Sequence, residues 1–174
     1  MKTQKLVLSS FFLALALVLP FLTGQIPQIG SMLCPMHFPI LLCGFICGWP
    51  YGLIVGFSAP LIRFMLFGMP PIFPTGIAMA FELATYGVTA GLLFSRSKHT
   101  LPMIYASLIM AMTAGRLVWG TVRFTLAWVT GVKFSLSLFL SGALFTALPG
   151  ILCQLIVIPL IMTTLEHQKV VRLC

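Results

Sequence analysis

Acidic side chains are nearly absent: Glu82 and Glu166 are the two in a chain of 174 residues, against ten Lys and Arg. That shortage excludes chemistries needing several carboxylates, such as two-metal phosphoryl transfer or a glycosidase acid pair with its supporting acids. A charged fraction of 7% cannot clothe a soluble globule, which ordinarily carries about 25%. No G-x-x-x-x-G-K-[ST] phosphate loop is present, so the chain carries no ATPase site of its own. Gly56-Phe57-Ser58-Ala59-Pro60 is not a G-x-S-x-G elbow, and no His and acid stand placed to serve a serine, which argues against an enzyme. The five cysteines, Cys34, Cys43, Cys47, Cys153 and Cys174, are odd in number and sit in or beside apolar runs, unlike a disulfide framework. Fixed-period repeats, linkers and low-complexity tails are missing as well, so residues 1–174 read as one domain.

What the chain does contain is apolar surface. Sixty per cent of its residues are hydrophobic and the mean hydropathy is +1.12, the composition of an all-α integral membrane protein. A span needs about 20 mostly apolar residues, and punctuation by Pro, Gly and charge divides the sequence into pieces of roughly that size. The expected spans are 6–22, 37–49, 51–67, 76–94, 101–128 and 136–165, a six-transmembrane-helix bundle. The first has a basic flank, Lys2 and Lys5, but no small-residue cleavage site before Pro20, so it is read as a span and not a leader. Trp49-Pro50-Tyr51-Gly52 is expected to be a tight turn, and the proline-rich run Gly68 to Gly76 a loop. Gly44, Gly48, Gly52 and Gly56, at intervals of four, suggest a closely packed hairpin of the second and third spans.

Charge sets the orientation, because short cytoplasmic loops are enriched in Lys and Arg. With both termini cytoplasmic, the inner side collects six, Lys2, Lys5, Arg96, Lys98, Lys169 and Arg172, against Lys133 alone outside. The net charge of +8 thus reflects membrane orientation plus a few functional charges, not nucleic-acid binding.

Four charges remain that neither loop nor terminus explains: Arg63, Glu82, Arg116 and Arg123. At 1.5 Å per residue Arg116 lies about 20 Å from the inner start of the fifth span and Arg123 about 10 Å further out. Arg63, Glu82 and His37 fall at the same outer level. Arg116, Trp119 and Arg123 share one helical stripe at i, i+3 and i+7; Thr75, Met79, Glu82 and Tyr86 share another. Ionisable groups inside a span are costly unless paired or wetted, and by default mark a ligand or ion path. One possibility is a Glu82–Arg116 ion pair that merely joins two helices, which leaves Arg63 and Arg123 without a matching acid. The other is an anionic small molecule whose carboxylate or phosphate takes the arginine fork beside Trp119 and Tyr86. Cys34 and His37, three apart, are too few ligands for a metal site, and His37 is either a ligand contact or a loop anchor. No cofactor is indicated.

The stretch Ser31-Met32-Leu33-Cys34-Pro35-Met36-His37-Phe38-Pro39, then Pro60-Leu61-Ile62-Arg63 with Phe67-Gly68-Met69-Pro70-Pro71, and Ala114-Gly115-Arg116-Leu117-Val118-Trp119-Gly120 resemble the substrate-binding S components of energy-coupling factor (ECF) transporters. The similarity spans nearly the whole chain. It implies a multi-pass protein of the prokaryotic cell membrane that captures a vitamin and releases it inward only when docked on a transmembrane T component with two cytosolic ATPases. In that family the first helix carries a small-residue face for docking; here it reads Ser10, Ala14 and Ala16, an S-x-x-x-A version of the usual A-x-x-x-A. The loops Thr23 to Pro35 and Gly68 to Gly76 match the family's lids over the pocket.

The intramembrane charges and their stripes make His37, Arg63, Glu82, Tyr86, Arg116, Trp119 and Arg123 the expected substrate contacts. Pantothenate, with its single carboxylate, is the first expectation, and riboflavin, a pyridoxine-type vitamin and folate stay open. An alternative is a non-transport assembly subunit whose arginine cluster binds membrane lipid. Arginines in the outer half speak against it, since anionic lipid is richest in the cytoplasmic leaflet.

Overall fold

Long apolar runs leave the backbone no partner but itself, and a chain in lipid answers by closing its hydrogen bonds within helices. The computed structural model describes residues 2–23, 32–96, 100–131 and 146–167, and among these there are helices and no strands. We number them α1 (Lys2–Val18), α2 (His37–Cys47), α3 (Trp49–Phe67), α4 (Ile77–Ser95), α5 (Leu101–Thr130) and α6 (Leu148–His167). A 3-10 turn, Leu19–Thr23, extends α1. Five of the helical segments are long and apolar enough to cross a membrane. The exception is α2, whose 11 residues reach about 16 Å, roughly half of a hydrocarbon core. The start of the expected sixth span, 136–145, lies outside the described residues, as do Lys98, His99, Lys133, Lys169, Arg172 and most of the loop from Thr23 to Pro35.

Helix α4 is the centre of the bundle, packed against α2, α3 and α5; α1 lies on α2 and α3, and α6 on α5 and α2. Small residues make that central position possible. A Cβ on Gly44 would stand 2.6 Å from the Gly87 carbonyl oxygen, and one on Gly52 would stand 2.7 Å from the same atom. A Cβ on Gly56 would come within 2.8 Å of the Ala84 backbone nitrogen. Gly44, Gly52 and Gly56 therefore seat α2 and α3 on α4, in addition to the packing of α2 on α3 that the interval of four suggested. Spacing along one chain reports that a face is small, not which neighbour it meets.

One local expectation is corrected. The break between α2 and α3 is Gly48 alone, at φ 95° and ψ 169°, a conformation open to glycine. Trp49 and Pro50 already belong to the first turn of α3, where proline loses no intrahelical bond. The run from Gly68 is a loop, as expected, and it ends in a wide turn. Ile72–Gly76 closes a wide five-residue turn, with the Gly76 N–H donating to Pro71 O at 2.9 Å, although Phe73 itself is extended at φ −116° and ψ 133°. The Met69–Pro70 and Phe73–Pro74 peptide bonds are cis.

Candidate functional site

Glu82 and Tyr86 stand one turn apart on α4, so the Tyr86 hydroxyl donates back to Glu82 Oε1 at 3.1 Å. Across the interface with α5, Arg116 Nη1 reaches the same oxygen at 3.1 Å. Gly115 makes this approach possible, because a Cβ there would collide with the Tyr86 ring. Glu82 is 1% exposed, and a carboxylate so buried needs a counter-charge and donors to remain ionised.

The third side of the cluster comes from α2. Its first residue, His37, brings Nε2 to 3.6 Å from Glu82 Oε1 and lays its ring 5.1 Å from that of Tyr86. The approach is set just upstream. Cys34 adopts φ 48°, left-handed and uncommon for a residue with a side chain, and its carbonyl accepts from the His37 N–H at 3.0 Å. The same bend drops Cys34 Sγ to 3.7 Å from Arg116 Nη2. Burial pushes the Cys34 thiol up from its ordinary value, with Arg116 acting the other way, so at neutral pH it is a protonated thiol beside a guanidinium. His37 Nδ1 and Nε2 and Arg116 Nε, all buried, have no hydrogen-bond partner among the described residues.

Arg123, two turns beyond Arg116 on α5, lies 5.7 Å from the centre of the Trp119 ring, within cation–π range, with Nη1 3.4 Å from Thr75 Oγ1 in the wide turn before α4. Trp119 is thus set beside Arg123, while Tyr86 belongs to the Glu82 cluster. Arg63 is elsewhere. Its guanidinium donates to the Leu17 carbonyl at the end of α1 and sits 5.1 Å from the Phe21 ring and 5.4 Å from the Phe67 ring. A cation at a helix C-terminus also meets the negative end of the helix dipole.

Of the seven side chains expected at a ligand, four form one cluster, with His37, Tyr86 and Arg116 converging on Glu82 Oε1. Trp119 and Arg123 form a second group under the Thr75 turn, and Arg63 is committed to α1. Sequence reasoning missed Cys34 as an arginine partner, since a positive φ in a non-glycine residue leaves no compositional trace. It also missed Phe21 and Phe67, although two aromatics flanking a buried arginine are a usable hint. Among the described residues no group of three His, Cys, Asp or Glu is placed to hold a metal. On α1, Ser10 and Ala14 face outward, whereas Ala16 is fully buried. Residues two positions apart on a helix lie about 200° apart around its axis, so an outward docking face including Ala14 excludes Ala16.

No curated protein and no solved structure matches the chain. The family model for the ECF transporter substrate-specific component matches residues 4–162, nearly the whole of an all-α bundle whose buried cluster of one acid and several donors joins three helices, and the chain belongs to that family.

Proposed function

We propose that this substrate-binding subunit of an ECF importer captures a small, anionic, water-soluble vitamin, pantothenate first, at the outer ends of α4 and α5. Its family makes it a transporter subunit and not an enzyme, and implies a small-molecule substrate, a T component and ATPase partners. The observation that carries the anionic reading is the charge balance. Glu82 meets Arg116 at 3.1 Å, and with one acid at this level a second guanidinium, Arg123, adds positive charge beside Trp119. One excess cation with an adjacent aromatic surface suits a ligand with one carboxylate and an apolar body. It does not suit a cationic vitamin. We place the protein in a prokaryotic cell membrane with both termini cytoplasmic, which the distribution of Lys and Arg supports.

The test is mass spectrometry of small molecules released from the purified chain, followed by titration of the emptied protein with pantothenate, riboflavin, pyridoxine and folate. Pantothenate release and saturable quenching of tryptophan fluorescence are expected. A protein that releases no vitamin and responds to none of the four would sink the proposal.

A further inference from the structure

Histidine buried to 3% exposure usually satisfies both ring nitrogens, one as donor and one as acceptor. His37 satisfies neither among the described residues, and Arg116 Nε beside it is likewise unpaired. The two side chains meet at one carboxylate, since Glu82 Oε1 is 3.6 Å from His37 Nε2 and 3.1 Å from Arg116 Nη1. The fold supports this arrangement from several sides, through the left-handed Cys34, the Tyr86 ring and the Gly115 cradle. A merely structural histidine would turn one nitrogen to a backbone carbonyl.

We propose that His37, with the Nε edge of Arg116, binds an uncharged hydroxyl-and-carbonyl group of the substrate, making it the residue that sets specificity at that end of the cargo. This rests on the anionic-vitamin reading and adds a second, chemically different subsite to it. The group bound here is uncharged because Glu82 stands 3.6 Å from the histidine, and a second carboxylate would face it at close range. An imidazole nitrogen meets a hydroxyl either as donor or as acceptor, and Arg116 Nε–H offers one donor. A hydroxyl next to a carbonyl answers both, the hydroxyl at one His37 nitrogen and the carbonyl accepting from Arg116 Nε. The substrate's carboxylate then belongs with Arg123, seven residues along α5 and about 10 Å away. The cargo is accordingly two-ended, with a charged end beside Trp119 and a neutral, hydroxyl-bearing end at His37.

The experiment compares wild type, His37→Leu, His37→Gln and Arg123→Ala, using pantothenate and a pantothenate analogue lacking the hydroxyl next to its amide carbonyl. Wild type should prefer pantothenate to the deoxy analogue by about tenfold or more, because a site built around a hydroxyl rejects the analogue without it. His37→Leu should lose that preference, and His37→Gln, with an amide donor and acceptor, should keep most of it. Arg123→Ala should weaken both compounds equally. The melting temperature of vitamin-free His37→Leu should equal or exceed that of wild type, because an unpaired buried polar group has been removed. A clear fall in that melting temperature overturns the inference, as does equal discrimination by wild type and His37→Leu. Failure of wild type to bind either compound removes the pantothenate assignment instead, and the melting comparison still decides the role of His37.

Discussion

Glu82 and Arg116 meet at 3.1 Å between α4 and α5, with the Glu82 side chain 2% exposed and that of Arg116 15% exposed. Taking two charges out of water costs more than their attraction returns unless other groups complete the shell. Here Tyr86 completes it on the acid and Cys34 lies against the base, at 3.1 Å and 3.7 Å. The pair is a joint between the two helices that also holds the guanidinium still. Removing one partner should therefore be worse than removing both. Arg116→Ala should destabilise the protein by about 3–5 kcal/mol, the range for stranding a buried charge. Arg116→Ala with Glu82→Ala should recover much of that loss. Thermal melting of the purified variants in detergent reads the cycle, and additive losses would contradict it.

Arg63 should behave differently from the other two intramembrane arginines. It is 4% exposed and its partners are the Leu17 carbonyl, Phe21 and Phe67, so it fastens the outer end of α1 to α3. Arg63→Ala should lower stability by about 1.5–3 kcal/mol, the value of a hydrogen bond from a charged group. Vitamin affinity of the protein that remains folded should stay near wild type. A large loss of affinity with unchanged melting would put Arg63 at the ligand after all.

The contrast between Arg63 and Arg116 shows what the sequence reveals and what it conceals. Depth is legible because a helix rises uniformly, so both arginines could be assigned to the outer half from residue counting alone. Stripe membership is legible for the same reason, and it brought Arg116 opposite Glu82. Direction across the bundle is not, because it depends on which helix packs on which. Arg63 turns to α1, and Gly52 turns to α4. The bend at Cys34 that sets His37 and Sγ against the charge pair is a backbone choice that no residue type announces.

Gly87 is the point where this hidden packing is most constrained. Carbonyl and Cα atoms of Gly87 lie within 2.6–3.2 Å of where Cβ atoms on Gly44 and Gly52 would stand. Backbone cannot rotate aside as a side chain can. Gly52→Ala should cost about 1–3 kcal/mol by overpacking, and Gly87→Leu should prevent assembly of the bundle. Yield and monodispersity after detergent extraction check both.

Arg123 should register as affinity and not as stability. It is half-buried over Trp119, near Thr75. Arg123→Ala should weaken pantothenate by about 1.5–3 kcal/mol, and Arg123→Lys should restore part of that, keeping the charge but not the fork. Isothermal titration of the two variants beside wild type checks this; unchanged affinity in Arg123→Ala would remove the carboxylate from this end of the site.

Docking on the T component, if it uses the small-residue face of α1, should separate two alanines two positions apart. Ala14 is exposed beside Ser10, one turn away, whereas Ala16 is fully buried against the rest of the bundle. A bulky side chain at 14 adds volume only where a partner helix would lie, and close approach of helices in lipid depends on small residues at the contact. Ala14→Trp should therefore leave vitamin binding and melting intact in the isolated subunit and abolish uptake when the T component and ATPases are present. Ala16→Trp places the same volume inside the core and should lower stability even without partners. Uptake by Ala14→Trp at the wild-type rate would move the docking face to another helix. Loss of binding in the isolated Ala14→Trp subunit would instead mean that this face of α1 supports the site itself.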